Sequence, residues 1–242
     1  MIGSDGYDNY QAPTDLNNKV DHQLFLRRLW VKGDLNFIAS PQINSTLKCI
    51  ENVKNVRYLN DNAFVSIERK FYELNNLGQY KDPNLIENRV MMYTNDLYHQ
   101  QQPQDSPKDI VPSNLQHKIY FKLTSIDLLK YSMLTYNLHK IHYDYKYSNC
   151  IENLPNLLVH GPFQITLLLY YFQCKYPNQV IKSFTYRTFN PCFCNTEVGI
   201  AINELDTLKE QKGSNEEKYE LSLVSADSKT VYMKGTLLCC KT

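Results

Sequence analysis

HGPFQITLLLYYFQCKY, residues 160–176, decides the fold. Gly161 can sit at an N-cap, Pro162 has its φ already fixed for the first helical position, and Pro177 stops the far end. The run between is almost wholly apolar, so the helix is expected to be buried. Only strand-like segments follow: IKSFTYRTF, EVGIAINEL, YELSLVSA and TVYMKGTLLC, the last two joined by Asp227-Ser228-Lys229. A long apolar helix followed by long antiparallel strands predicts a sheet wrapped around one helix, an α+β layout.

Working outward, HKIYFKLT (117–124) reads as a strand. SIDLLKYSMLTYN has apolar residues at 126, 129, 133 and 136, one face of a helix that starts at Ser125 with Asp127 in its first turn. In the first half, RRLWVKGDLNFI (27–38) is expected to be a strand, a Gly-Asp turn and a return. NVKNVRYLNDNAFVSIERKFYEL (52–74) is a hairpin turning at Asn60-Asp61-Asn62, and NRVMMYTN (88–95) is a further strand. No buried helix matches these strands. A diverged duplication that kept its helix only in the second copy accounts for both halves.

HQQQPQDSPKDIVPSN (99–114), with its three prolines and many amides, reads as a linker. The expected organisation is therefore a flexible N-terminal arm (1–19), a first unit (20–98), a linker (99–116) and a second unit (117–242).

Twenty-six basic against 25 acidic residues leave almost no net field, which argues against nucleic acid or a membrane surface as partner. The longest apolar run, Phe163 to Phe172, is interrupted by Gln164 and Thr166 and is too short to span a bilayer. Seven cysteines form no regular framework, which suits a reducing compartment. Asp5, Asp8 and Asp15 precede the first arginine, Arg27, the reverse of a transit peptide.

The chemistry concentrates in SMLTYNLHKIHYDYKYS (132–148), which holds His139, His142 and Asp144. A metal site, a general acid/base and ordinary histidines are the three readings. His139-x-x-His142-x-Asp144 with His160 could offer ligands, but such spacings arise often by chance, so no metal is expected. Cys192-x-Cys194 and Cys239-Cys240 also lack zinc spacing; the apolar faces of the last strands explain them better. Asp144 is most simply the N-cap of a turn at Tyr145–Asn149, with orientation of His142 as the alternative. His160 is expected to pack against backbone or to support the site from behind. Arg187, at an expected inward strand position, should pair with an acid or else touch substrate.

LTYNLHKIHYDYKYS, followed by VHGPFQITLLL, resembles the MaoC-like hydratase branch of the hotdog superfamily, and more closely the fungal mitochondrial hydroxyacyl-thioester dehydratases. HQLFLRRLWVKGDLNF, VKNVRYLNDNAFVSIERKFYE, IENRVMMYTND and SFTYRTFNPCFCNTEV share the likeness, which covers about residues 20–240. It implies a double hotdog with a degenerate N-terminal unit and the site in the C-terminal one, as a monomer or homodimer. It further implies dehydration of a (3R)-hydroxyacyl thioester on acyl carrier protein (or CoA) to the trans-2-enoyl thioester, without a cofactor, in the mitochondrial matrix. The family histidine falls on His142, its aspartate on Asn137, its asparagine on His139 and its helix-start glycine on Gly161.

Asn137 departs from the wider pattern and cannot be a base; it can position a hydroxyl or water. Proton transfer then rests on His142, alone or shared with His139, while main-chain N–H groups at Gly161 face the thioester oxygen. A hydratase of the same fold acting on enoyl-CoA or mesaconyl-CoA, and an inactive acyl-thioester-binding hotdog, are the rival readings.

Overall fold

The computed structural model describes residues 2–14, 24–74, 79–80, 82–99, 117–205 and 216–241. Among these residues nine strands form one antiparallel sheet: β1 (Arg27–Phe37), β2 (Leu47–Leu59), β3 (Asn62–Glu73), β4 (Leu85–Thr94), β5 (His117–Lys122), β6 (Gln179–Thr188), β7 (Glu197–Leu205), β8 (Glu216–Ser225) and β9 (Val231–Lys241). Their order is β2-β3-β4-β1-β6-β9-β8-β7-β5. The first four strands thus occupy one end and the last five the other. The seam is β1 against β6, with Lys32 to Asn36 opposite Ser183 to Arg187.

Among the described residues three α-helices precede β6: α1 (Ser125–Thr135), α2 (Tyr145–Cys150) and α3 (Gly161–Lys175). α3 is the buried rod the sequence predicted. Leu168 and Phe172, with no exposed surface, share a core with Phe184 of β6, Ile202 of β7, Leu221 and Leu223 of β8, and Met233 and Leu237 of β9. Cys239 joins that core from β9, whereas Cys192 and Cys194 reach it from the β6–β7 connection and not from a strand. The helix begins one residue earlier than expected: His160 is the N-cap, and Gly161 and Pro162 open the first turn. Among the described residues, the first half contains no helix.

The β2–β3 hairpin turns on Asn60 (φ 48°) and Asp61 (φ 61°), a two-residue loop with both positions left-handed. The Gly33-Asp34 pair, by contrast, makes no turn. β1 runs straight through it, with Gly33 paired to Arg89 on one side and Tyr186 on the other. A Cβ at Gly33 would stand 2.3 Å from the Asn88 carbonyl oxygen and 2.5 Å from the Tyr186 hydroxyl. Glycine serves there to let the Tyr186 side chain cross the seam.

Residues 2–14 are not a loose arm. Ile2 bridges Asp8, and the fully buried Asp5 accepts a hydrogen bond from Arg28 Nε at 2.8 Å. Arg28 is itself buried at the start of β1 and requires a counter-charge, which this segment supplies. The rest of the expected arm, and linker residues 100–116, lie outside the described residues.

Candidate active site

The site grows from the end of α1. Thr124 and Asp127 cap its start reciprocally. At its end Tyr136 is left-handed (φ 52°), and the Asn137 N–H returns to the Ser132 carbonyl at 2.9 Å. After this reversal the Asn137 Oδ1 accepts from the His139 N–H at 3.2 Å. Its carbonyl end is thereby occupied by main chain, leaving the amide –NH2 as the group that can reach a ligand.

His142 ends a short 3-10 turn (Lys140–His142) that the main chain holds against the approach to α3. The Leu158 N–H bonds the Ile141 carbonyl at 2.9 Å, and Nδ1–H of His142 donates to the Leu158 carbonyl at 2.7 Å. Because a carbonyl only accepts, this bond places the proton on Nδ1 and leaves a lone pair on Nε2. The His160 ring stacks on His142 with centroids 3.6 Å apart. His160 is completely buried, and its Nε2 lies 2.9 Å from Ser132 Oγ. Its ring meets the side chains of Ser132, Tyr131 and His142.

Burial, with the neighbouring His160 and His139, holds the His142 imidazole well below its ordinary 6.5, and burial with His139 pushes His160 down to about 3. Both rings are neutral at physiological pH. His139 meets His142 edge-on at 5.5 Å and lies 3.5 Å, through Nε2, from Asp5 Oδ2.

Asn137, His139, His142 and Gly161 all line one cavity of about 610 Å³. Its other wall belongs to β1, β2, β3 and β4. Trp30, which meets Gly161, and its β4 partner Met91 face it, and Arg89, 5.1 Å from the Trp30 ring, joins a tier with Glu51, Arg69 and Glu87. Arg69 joins Glu51 (2.6 Å) to Glu87 (3.0 Å), and the two arginines balance the two glutamates. At the α3 N-terminus the first N–H groups have no partner within the helix, so this end suits developing negative charge. The glycine itself answers to packing: a Cβ at Gly161 would stand 2.8 Å from Trp30 Cγ.

Asp144 and Arg187 stand outside this cluster. The Asp144 Oδ1 caps α2 by accepting from the Tyr147 N–H at 3.0 Å, with no contact to His142. Arg187 points outward, correcting the expected inward position, because Phe184 and Tyr186 set the inward phase of β6. Its guanidinium lies 5.6 Å from the Phe189 ring and forms no ion pair among the described residues. No group of three or more His, Cys, Asp or Glu among those residues is arranged to hold a metal ion.

Sequence reading missed Gln164, Asp5, Glu152 and the Arg27-Arg28 pair. Gln164 is buried and lines the cavity from the first turn of α3. Arg27 and Arg28, two charges opening a strand, were the legible hint, since buried arginines demand acids. Their partners are Glu152, 2.9 Å from Arg27, and Asp5.

A solved MaoC-like dehydratase superposes with a TM-score of 0.70 over 90% of this chain and 76% of its own, at 10% identity, which defines the class as the α+β hotdog fold. The sequence places the chain within that class. It belongs to the hydroxyacyl-thioester dehydratase type 2 family, whose model matches residues 1–194. The mitochondrial hydroxyacyl-thioester dehydratase type 2 of Saccharomyces cerevisiae is 29% identical over 98% of this chain and 81% of its own length. Its Schizosaccharomyces pombe counterpart is 29% identical over 86% and 73%. Among the described residues no helix is long and apolar enough to cross a membrane.

Proposed function

We propose that this protein is a 3-hydroxyacyl-thioester dehydratase of mitochondrial fatty acid synthesis, taking a (3R)-hydroxyacyl group on acyl carrier protein in the matrix. The observation that carries the reading is the His142–Leu158 hydrogen bond, which leaves Nε2 as the basic nitrogen of a cavity-lining ring. Nε2 takes the C2 proton, and charge moves onto the thioester oxygen, where N–H groups at the start of α3 stabilise it; each such donor is typically worth about 3 kcal/mol of barrier. As the C2=C3 bond forms, the C3–O bond breaks and the imidazolium returns its proton to the leaving hydroxide, giving water.

Asn137 holds the hydroxyl in place. The acyl chain enters the space beside β1, β3 and β4, where no helix stands among the described residues. The division into a degenerate unit (20–98), a linker (99–116) and a site-bearing unit (117–242) belongs to the same reading, supported by the β1–β6 seam.

The deciding experiment is dehydration of a 3-hydroxyacyl thioester, on carrier protein and on CoA, by wild type and His142→Ala. Loss of at least about 100-fold is expected. Turnover that survives the substitution undiminished refutes the assignment, and a preference for CoA moves the protein to the hydratases.

A further inference from the structure

Where the resemblance leads one to expect an aspartate the chain has Asn137, so the stretch that bears His139 and His142 carries no acid facing them. Two carboxylates reach this place from elsewhere. Asp5 comes from the docked N-terminal segment, and Glu152 from the turn after α2. Both are buried, and each is anchored by an arginine of β1: Arg28 to Asp5 Oδ2 at 2.8 Å, Arg27 to Glu152 Oε2 at 2.9 Å.

The anchoring leaves a matched remainder. Glu152 Oε1 and His139 Nε2, like the Tyr147 hydroxyl that also faces Glu152, are shut away from solvent without a close hydrogen bond among the described residues, and the first two stand 3.8 Å apart. One is an acceptor; the other becomes a donor when the imidazole carries its proton on Nε2. A buried polar atom without a partner is costly, and a small closing movement satisfies both. The opposite tautomer would set the Nε2 lone pair against two carboxylates, Glu152 Oε1 and, at 3.5 Å, Asp5 Oδ2.

We propose that Glu152 and Asp5 are positioning residues that fix His139 as its Nε2–H tautomer, restoring through tertiary contacts the acid that Asn137 lacks. Resting on the dehydratase reading, this makes His139 a ring of fixed orientation beside His142, with its proton directed at the two carboxylates. A carboxylate behind an imidazole commonly plays this part. Among the described residues, the charged and titratable groups around His139 are Asp5, Glu152, Tyr7, His142 and His160, with Arg27 and Tyr147 beside Glu152 and Arg28 beside Asp5.

Two measurements on the full chain test the proposal. Two-bond proton–nitrogen spectra of wild type, with His139 assigned through His139→Gln, should show His139 protonated on Nε2 and not on Nδ1; the reverse tautomer overturns it. In Glu152→Gln, kcat for the 3-hydroxyacyl thioester should fall about tenfold with KM little changed and a shifted pH profile, and Glu152→Asp should recover part of the loss. A folded Glu152→Gln protein with wild-type kcat and pH profile also overturns it. If Glu152→Gln does not fold, the wild-type spectra decide. A wild type that dehydrates nothing refutes the dehydratase reading and leaves the spectral test standing.

Discussion

Behind β6, β9, β8 and β7 the curve of the sheet is filled by α3, with Leu168 and Phe172 sealed among strand side chains. Behind β1, β3 and β4 no helix stands among the described residues, and the same kind of face looks onto a cavity. Its apolar patch is small (Phe25, Ala63, Val65, Ile67 and Tyr93), and farther along it carries the ion pairs of Arg69 with Glu51 and Glu87. One half uses its helix as core, and the other uses the vacancy as room. The filled half therefore supplies rigidity, and the open half supplies a wall that a ligand can cover.

Truncation should separate the halves most sharply. Phe172→Ala should cost about 3–5 kcal/mol in urea unfolding, because the rod cannot collapse onto the space left. Met91→Ala, where the new space merely joins an existing cavity, should cost less than about 2 kcal/mol. Equal losses would mean the open half is packed as tightly as the filled one.

Acid comes next. His142 and His160 have folded-state values held below the free 6.5, so below that pH the unfolded chain binds protons the native one refuses. Stability should therefore fall as pH drops through 6.5, by up to about 1.4 kcal/mol per unit for each ring, until the carboxylates also titrate. Denaturant midpoints at neutral and mildly acid pH measure this, and His160→Gln should flatten the slope.

The smallest effect belongs to the ionic tier. Arg69→Leu with Glu87→Leu removes one charge of each sign, and should leave stability unchanged or raise it by about 1 kcal/mol, since apolar replacements of buried pairs are often neutral or better. A large loss would show that the open half depends on its ion pairs for cohesion.

The filled half was the more legible for the same reason that it has the larger buried core. Its helix and strands announce themselves through burial, and the tight caps, Asp127 at α1 and Asp144 at α2, are local devices written within four residues. His142 and Gly161 were readable because their motif is contiguous. Arg187 was misplaced because β-strand phase inverts with a one-residue slip, and nothing in SFTYRTF marks which alternate set faces α3. Gly33-Asp34 imitates a turn, and the Asn88 carbonyl and the Tyr186 side chain, 55 and 153 positions away in sequence, explain the glycine. Asp5 and Glu152 were invisible for a similar reason: each acts on a histidine that no local pattern connects to it.

The hydrogen bond between His142 and Leu158 has one last consequence. A carbonyl cannot receive the Nδ1 proton, and the ring stacked behind is neutral and sealed, so on the proposed chemistry a hydrogen captured at Nε2 sits in a cul-de-sac. Its only way out is the way it came in, which makes the hydrogen lifted from carbon the same one that departs in the water molecule.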